Sequence, residues 1–304
     1  MNSYSKPNAV GGQLIRDVVK FLRSHGIQLP IQSPVLIAVS GGSDSVALAR
    51  LLVKYGRRVT PKENIRLIHV NHGWRGKASD GDAAFVRAFA KKLKVPVTIV
   101  RAKQTPATGD SWEEDARQTR KEIFAKRRNA AGNKAIVLTA HQAEDLAETV
   151  LWRLLTGAAE THAGGILVQH DGEIRPFLRT RKGVLQDFLK EEKQLWREDL
   201  TNHEGRFQRS KLRLELFPVL ERLFPKTVSH LGDWALHVQK KRASPLSTQQ
   251  EGMDSLWKAL ELKIRRPQWL ALREKTSLAG WTGEIQLSQG WKLVKTAVDA
   301  KPQK

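Results

Sequence analysis

Residues 35–48 read VLIAVSGGSDSVAL and contain the feature that decides the fold. The first five residues are apolar and predict a buried strand, and Val46 onward predicts a helix, so the polar residues between them turn the chain from strand into helix. Gly41 and Gly42 allow positive φ and leave no Cβ in the way, so the backbone N–H groups after the turn can point at an anion. A Ser or Asp cap would explain one hydroxyl or one acid, but not three hydroxyls and two glycines. We therefore interpret residues 40–45 as a phosphate-binding loop.

The loop differs from the common nucleotide-binding motifs, because it lacks both the Gly-Lys-Ser/Thr ending of a Walker A loop and the GxGxxG pattern. It resembles the SGGxDS signature of the PP-loop ATP pyrophosphatases. The resemblance implies cleavage of ATP between its α and β phosphates and adenylation of a carbonyl oxygen. It also implies that Asp44 is a ligand of Mg²⁺, a cation that prefers carboxylate oxygen. The implied ATP contacts are Ser40, Gly41, Gly42, Ser43, Asp44 and Ser45.

The composition favours a polyanionic partner. The chain has 304 residues, of which 40% are hydrophobic, and a formal net charge of +21. This length suggests two domains, and the charge favours nucleic acid as the partner. A generally basic surface is the plain alternative, and a membrane is disfavoured because no segment combines a basic face with a strongly apolar one. The chain has no cysteine, which excludes disulfides, cysteine-based metal sites and transfer of sulfur through a persulfide by this chain alone.

Strands alternate with helices along the first two thirds of the chain. Apolar periodicity predicts strands at 35–39, 65–70, 95–100, 135–139 and 174–177, and helices at 13–25, from 46, and at 80–94, 112–129, 144–155 and 181–192. This order predicts an α/β fold with a parallel, doubly wound sheet of the PP-loop type, followed by a smaller, mainly helical domain. We place the ATP-binding catalytic domain in residues 1–208. Residues 209–304 form the second domain, with helices at 228–238 and 255–264, a linker at 243–250, a short terminal β hairpin over 284–294 and disorder over 297–304.

Polar residues follow three of the predicted strands. They are Ser40, the segment 69–75 and the segment 139–145. Because ligands of such sheets bind beyond the carboxyl ends of the strands, we expect these residues to line one crevice.

Two helices carry polar residues at helical spacing. His141, Asp145 and Glu148 fall at i, i+4 and i+7 and would share one face of a helix, where the plain alternative is a solvated face with a capping acid. Glu113, Arg117 and Arg120 have the same spacing, and the plain alternative is an exposed ladder of ion pairs. Arginine is also suited to bind phosphate or carboxylate.

Six blocks in order resemble those of the tRNA(Ile)-lysidine synthetases. They are IAVSGGSDS at 37–45, HVNHGWR at 69–75, EEDARQTR at 113–120, AHQAEDLAET at 140–149, IRPFL at 174–178, and DLTN at 199–202 followed by Arg209 and Arg213. The resemblance implies that ATP adenylates the C2 oxygen of the wobble cytidine of tRNA(Ile) with a CAU anticodon. Free L-lysine then attacks C2 and expels AMP, which leaves lysidine.

The resemblance also implies roles for individual residues. Those with catalytic roles are Asp44, Arg117, His141, Asp145 and Glu148. His69 would contribute to the ATP site. Those that contact substrate are Glu113, Arg120, Arg175, Arg209 and Arg213. Assignment of the general base among Asp145, Glu148 and Glu113 stays open.

The chain departs from the family pattern at several positions. Lys121 replaces a tyrosine, Ser210 replaces an asparagine, and residues 156–159 read TGAA where the family has a glycine-rich RGSG loop. Longer members continue into a further C-terminal domain beyond the point where this sequence ends. We therefore expect the basic helices after Arg209 to contribute tRNA contacts.

Two other functions remain open at this point. A PP-loop tRNA thiolase shares the ATP loop but needs sulfur chemistry that a chain without cysteine lacks. A non-catalytic RNA-binding protein with a relic loop is the other alternative, against which the joint presence of Asp44, Asp145 and Glu148 argues. The polar N-terminus has no signal peptide pattern and no segment is long enough to span a bilayer, so we expect a cytoplasmic protein. The oligomeric state stays open, with a homodimer as one option.

Overall fold

The computed structural model of the chain describes residues 9–30, 32–74, 76–102, 112–130, 135–157, 164–197, 211–242, 283–286, 292–295 and 300–303. Contacts within the chain group it into two units, residues 1–239 and residues 240–304. The predicted domain boundary between residues 208 and 209 lies outside the described residues and stays a prediction. No helix in the described ranges is both long enough and apolar enough to cross a membrane.

The first unit alternates helices with strands. Its helices are α1 (Ala9–Arg23), α2 (Ser43–Tyr55), α3 (Lys77–Leu93), α4 (Trp112–Ala130), α5 (Ala143–Leu155), α6 (Lys182–Glu191), α7 (Phe217–Leu223) and α8 (Thr227–Arg242), and a π-helical turn over Leu212–Leu216 leads into α7. Its strands are β1 (Val35–Ala38), β2 (Ile65–Asn71), β3 (Val97–Arg101), β4 (Ile136–Leu138), β5 (Gln169–His170) and β6 (Glu173–Ile174). The predicted α/β class and the alternation of its elements are therefore confirmed.

The strands form one six-stranded sheet in the order β3-β2-β1-β4-β6-β5. All neighbouring pairs are parallel except β5 and β6, which are antiparallel at one edge. Ile37 of the central strand lies opposite Leu67 of β2 on one side and Leu138 of β4 on the other. The strand order reverses between β1 and β4, which is the position where open α/β sheets bind ligands.

Side chains of β1 alternate between two hydrophobic layers. Val35 and Ile37 are fully buried and belong to the main core, which α1, α2, α3 and α6 also line. Leu36 and Ala38 point to the opposite face, where they pack with Phe124 of α4. Both faces of the sheet are covered, so its strands read as continuous apolar runs.

The strand predicted at residues 174–177 is shorter in the structure. The strand β6 ends at Ile174, and residues 176–179 form turns. Pro176 has no N–H to donate to a neighbouring strand and therefore ends the pairing. Phe177 is nevertheless fully buried in the main core. The apolar residue that suggested a strand here is therefore a buried residue of a turn.

The helices after residue 210 pack against α5. Leu212, Phe217 and Val228 form a separate hydrophobic cluster with Ala143 and Ala147 of that helix. The helix predicted at 228–238 is confirmed within α8. These helices belong to the first contact unit up to residue 239, so the core of that unit extends past the sheet.

The second unit contains three described strands, β7 (Gly283–Gln286), β8 (Lys292–Lys295) and β9 (Ala300–Gln303). They pair antiparallel in chain order, which confirms the predicted terminal hairpin. The prediction of disorder over 297–304 is wrong for residues 300–303, which pair with β8. The predicted linker at 243–250 and helix at 255–264 lie outside the described residues, so the mainly helical character of this unit stays a prediction.

Candidate functional site

The polar residues that follow β1, β2 and β4 lie at one edge of the sheet, beyond the carboxyl ends of these parallel strands. Residues 40–45 follow β1 and Thr139 to Asp145 follow β4, so these two segments flank the point where the strand order reverses. The crevice that we expect would therefore lie between the ends of the neighbouring strands β1 and β4.

The glycine-rich loop is held in a turn by its own hydroxyls. Gly41 has a φ of +105°, a value that favours glycine. The Ser45 hydroxyl donates to the Gly42 carbonyl at 3.0 Å and accepts the Ser40 N–H at 3.1 Å. Gly42 is the N-cap of α2 and has no side chain that could cap the first-turn N–H groups, while its own N–H donates to the Ser40 hydroxyl at 3.3 Å. The first-turn N–H groups and the positive end of the helix dipole therefore suit an anion.

Asp44 is a half-buried carboxylate in the first turn of α2. It accepts a hydrogen bond from the Ser43 hydroxyl at 2.9 Å. Burial raises the pKa of Asp44, the charges of Asp145 and Glu144 raise it further, and the Ser43 hydrogen bond and the cation of Lys182 oppose the rise. The loop after β1 and the first turn of α5 thus bring three carboxylates within electrostatic reach of one another.

This carboxylate group fits a magnesium ion shared with a nucleotide. No group of three or more His, Asp or Glu side chains in the described ranges is arranged to hold a metal alone. Mg²⁺ needs no such cage, since it is usually bound by one or two carboxylates together with phosphate oxygens and water. Burial is the main cause of the raised pKa of Asp44, and repulsion from Asp145 and Glu144 adds to it. A cation at Asp44 would offset this repulsion.

Hydrogen bonds fix the first turn of α5. The Asp145 carboxylate accepts the Gln142 N–H at 3.0 Å, while the Gln142 side chain accepts the Glu144 N–H, so the two residues cap the helix reciprocally. Glu144 accepts hydrogen bonds from the Lys182 N–H at 3.1 Å and forms an ion pair with Arg181 at 2.7 Å. The start of α6 therefore packs against this turn, and burial raises the pKa of Glu144.

Glu148 and Arg213 contact each other. The guanidinium of Arg213 donates to both oxygens of Glu148, at 2.7 and 2.6 Å. We predicted a catalytic role for Glu148 and a substrate contact for Arg213, and the structure pairs the two side chains, so both roles stay predictions. His141 precedes α5, which begins at Ala143, so the expected helical face of three residues contains only Asp145 and Glu148. The His141 ring lies 3.2 Å from the hydroxyl of Thr139.

His69 is a buried side chain on β2. Its Nδ1–H donates to the Val39 carbonyl at 2.7 Å, and its Nε2 has no hydrogen-bond partner within the part of the chain that the structure describes. Burial lowers the pKa of His69 below its ordinary value, although the Val39 bond opposes this. The ring is therefore a neutral acceptor behind the loop, and direct contact with ATP stays a prediction.

His72 and Trp74 form an aromatic pair just beyond the end of β2. Their ring centroids are 4.7 Å apart, and Trp74 is 38% exposed. Burial lowers the pKa of His72 to about 4, with further lowering by Arg120 and His69. Arg120 of α4 therefore lies close to this strand end.

Arginines of α4 and of the segment after β6 approach each other. Arg175 is buried, pairs with Glu173 at 2.7 Å and donates to the Leu167 carbonyl at 3.0 Å. Burial lowers the pKa of Arg175, the Glu173 carboxylate opposes this, and the nearby charge of Arg117 lowers it further. Arg117 therefore lies close enough to Arg175 for the two positive charges to interact. Of the remaining predicted residues, Glu113 lies on α4 outside the described side chains, and Arg209 lies outside the described residues.

Sequence reasoning missed three residues near the loop. Lys182 is an exposed cation whose charge reaches Asp44. Arg197 donates its backbone N–H to the Gly41 carbonyl at 2.9 Å, and its guanidinium pairs with Asp82 of α3. None of them belongs to a recognisable motif, and the only available signal was the position of Arg197 two residues before the DLTN block.

A family model described as the PP-loop domain matches residues 13–220, which cover most of the first unit and all the site segments above. The chain belongs to the PP-loop family. The match confirms the resemblance to this family, and the phosphate-binding role of residues 40–45, which lie within the matched range, stays a prediction.

Relatives with curated names extend the match. The tRNA(Ile)-lysidine synthase of Thermus thermophilus is 38% identical over 222 residues, which cover 72% of this chain and 42% of the relative. That of Symbiobacterium thermophilum is 36% identical over 231 residues, covering 73% and 47%. That of Rhodopirellula baltica is 29% identical over 308 residues, covering 84% and 77%. The resemblance to the tRNA(Ile)-lysidine synthetases is thus confirmed, although this PP-loop chain spans less than half the length of the first two relatives.

A solved structure shares the fold. It is the U34-tRNA thiolase NcsA from Methanococcus maripaludis with its [4Fe-4S] cluster, at a TM-score of 0.59 and 16% identity, covering 79% of this chain and 86% of that one. At this identity the likeness concerns the PP-loop fold alone.

Proposed function

We propose that this PP-loop chain is an enzyme that attaches free L-lysine to C2 of the wobble cytidine of tRNA(Ile) with a CAU anticodon, at the expense of ATP. The observation that carries the proposal is the approach of Asp44 in the loop to Asp145 at the start of α5. This arrangement sets a phosphate-binding loop beside carboxylates that suit a cationic amine, and relatives named tRNA(Ile)-lysidine synthase match 72% and 73% of this chain. Because the substrate is tRNA, we place the reaction in the cytoplasm.

The first step would adenylate the base. The loop at residues 40–45 holds the phosphates of ATP with the N–H groups at the start of α2, whose dipole favours negative charge. Asp44 would hold Mg²⁺, which would supply positive charge at the phosphates. The C2 oxygen of the cytidine attacks the α-phosphorus, a P–O bond forms, and pyrophosphate leaves. Arg117, whose charge reaches Arg175, is the cation that we propose for this step, since Arg175 is buried and paired with Glu173.

The second step would transfer lysine. The side-chain nitrogen of lysine attacks C2, and AMP leaves with the C2 oxygen. A lysine ammonium has to lose a proton before it can attack, and carboxylates both attract the cation and accept protons. Asp145 and Glu148 are the carboxylates proposed for this contact, and Glu148 would first have to release Arg213, from which both of its oxygens accept hydrogen bonds.

A labelled-lysine assay tests the proposal. The protein is mixed with ATP, Mg²⁺, labelled lysine and an unmodified tRNA(Ile) transcript with a CAU anticodon. We expect one label per tRNA, and no label in a transcript in which uridine replaces the wobble cytidine. Absence of label, with ATP binding shown by calorimetry, would overturn the proposal, since the chain would then bind the nucleotide without transferring lysine.

The same mixture separates the two alternatives. A non-catalytic RNA-binding protein releases no AMP or pyrophosphate, whereas the proposed ligase releases pyrophosphate once tRNA is present and releases AMP only when lysine is added as well. A thiolase would incorporate sulfur, and a chain without cysteine has no thiol of its own to carry it. The shared fold with a thiolase does not bear on this choice, because many chemistries use one fold.

A further inference from the structure

The segment that follows α6 crosses the back of the phosphate-binding loop. Its last described residue, Arg197, makes two polar contacts that join different parts of the site. The backbone N–H donates to the Gly41 carbonyl at 2.9 Å. The guanidinium Nε donates to Asp82 of α3, whose side chain is only 11% exposed. One residue therefore joins the loop to α3 through both its backbone and its side chain.

The hydrogen bond from Arg197 to the Gly41 carbonyl also determines where the N–H of Gly42 points. The carbonyl of Gly41 and the N–H of Gly42 belong to the same planar trans peptide and point to opposite sides of it. A hydrogen bond that holds the carbonyl oxygen on one side therefore fixes the direction of the Gly42 N–H on the other. Gly42 is the N-cap of α2, and its N–H donates to the hydroxyl of Ser40 at 3.3 Å, so this peptide sets the position of a loop hydroxyl that we predict to contact ATP.

Packing around Gly41 supports the same role. A Cβ at Gly41 would lie 3.6 Å from Phe85 of α3 and 3.8 Å from the Cδ of Arg197, so the glycine is enclosed from two sides. A Cβ at Gly81 would lie 3.4 Å from the Arg197 guanidinium, which shows how closely that group lies against α3. A glycine at positive φ has more backbone freedom than other residues. The contacts with Phe85 and Arg197 therefore restrict the backbone of Gly41.

We propose that Arg197 is a positioning residue for the PP-loop: anchored by Asp82, it holds the Gly41–Gly42 peptide in the orientation in which the Gly42 N–H fixes the Ser40 hydroxyl at the proposed phosphate site. This inference rests on the proposed use of ATP by this loop. Arg197 acts through the loop and not by contact with the substrate, because its guanidinium is paired with Asp82 on α3. The pairing also offsets the negative charge of Asp82, which lies close enough to His69 to affect the pKa of that ring.

The test compares ATP binding in four single variants and one double variant. Arg197→Ala removes the anchor, Asp82→Asn weakens it from the other side, and Arg197→Lys keeps a cation. Arg179→Ala removes an Arg–Asp pair elsewhere whose arginine is about as exposed as Arg197 but whose aspartate is more exposed than Asp82. We expect Arg197→Ala and Asp82→Asn each to raise the Kd and KM for ATP about tenfold, with a smaller change in the KM for lysine. The double variant should be no worse than either single one, because both break the same contact. Arg197→Lys should recover part of the affinity, and Arg179→Ala should leave it unchanged.

The readouts distinguish this inference from the proposed function. If the wild-type protein binds ATP and transfers lysine but Arg197→Ala has a wild-type Kd and KM for ATP, the positioning role is wrong and the proposed function stands. If Arg197→Ala lowers the free energy of unfolding in urea while the folded variant binds ATP normally, the residue is only structural. If the wild-type protein does not bind ATP, the proposed function itself fails.

Discussion

Glu148 of α5 and Arg213 of the following helical segment are joined by two hydrogen bonds, one to each carboxylate oxygen. The glutamate side chain is 6% exposed and the arginine side chain 42%. The cation of Arg213 therefore offsets the free-energy cost of burying the Glu148 carboxylate. We predict that Arg213→Ala lowers the free energy of unfolding by about 1–3 kcal/mol, measured in urea. The contact also joins α5 to the helices that pack on it through Leu212 and Phe217.

The exposed Arg222 on α7 provides the control for this substitution. Arg222→Ala removes the same side chain from the same helical region and should change the free energy of unfolding by less than about 0.5 kcal/mol. If Arg213→Ala is as stable as the wild type but binds tRNA more weakly, Arg213 serves the substrate and its pairing with Glu148 is incidental.

Asp44→Asn separates function from stability. Burial raises the pKa of the Asp44 carboxyl, and nearby Asp145 and Glu144 raise it further. The folded protein therefore holds this proton more tightly than the unfolded chain, so the ionised group destabilises the fold once the pH exceeds its unfolded pKa. At pH 7 we predict no lysine transfer in Asp44→Asn, unchanged tRNA binding, and a free energy of unfolding equal to or above that of the wild type.

A matched variant checks the Asp44 prediction. Asp187 lies on α6 with a side chain that is 66% exposed, and Asp187→Asn should leave both turnover and stability unchanged. A clear loss of stability in Asp44→Asn would show that this carboxylate supports the fold, and a loss of tRNA binding would show that it is wrongly placed in the ATP site.

Sequence patterns predicted the candidate site because the residues of its phosphate-binding loop are adjacent in the sequence. Residues 40–45 combine strand, glycine turn and helix start within one short stretch, so no tertiary knowledge was needed to identify the loop. Asp145 was placed beside Asp44 by one rule, that parallel strands end at the same edge. The pairing of Glu148 with Arg213 and the contact of Arg197 with Gly41 join residues far apart in sequence, and no periodicity encodes such contacts.

Glu192, just beyond the end of α6, gives a prediction for stability in acid. Its buried carboxylate accepts hydrogen bonds from Tyr55 at 2.7 Å, Lys54 at 2.8 Å and Arg50 at 2.8 Å. Burial acts to raise the pKa of Glu192, but these bonds outweigh it and the pKa is lowered. The stabilisation is therefore present above the unfolded pKa and is lost as the pH falls through the folded pKa.

We predict that Glu192→Gln lowers the free energy of unfolding at pH 7 by about 1–3 kcal/mol, and that its difference from the wild type shrinks below about pH 4.5. Urea unfolding at pH 7, 5 and 4 measures this. Glu191→Gln, one residue earlier, serves as the control and should show no such trend. A difference that is constant over this range would mean that the charge of Glu192 does not contribute.

His72 gives a prediction in a different pH window. Burial lowers its pKa to about 4 from an ordinary 6.5, so between these values the unfolded chain binds a proton that the folded protein does not. Stability should therefore fall as the pH drops from about 6.5 toward 4, and His72→Gln should reduce this slope. An imidazole NMR signal that titrates near 4 and is absent in His72→Gln measures the pKa directly, whereas titration near 6.5 would contradict the burial of the ring.

The net charge of +21 leads to a prediction for tRNA binding. Lysine and arginine contacts with phosphates release condensed counterions, so the logarithm of the association constant should fall linearly with the logarithm of the salt concentration, by about 0.7–0.9 per phosphate contacted. Filter binding over a range of sodium chloride measures the slope for tRNA(Ile) and for a second tRNA with another anticodon. Because contacts to phosphates carry no sequence information, we expect similar slopes for both and a difference in affinity that salt does not remove. A flat dependence would mean that the basic surface serves another purpose, and an affinity difference that vanishes at high salt would place tRNA discrimination in the phosphate contacts instead of the bases.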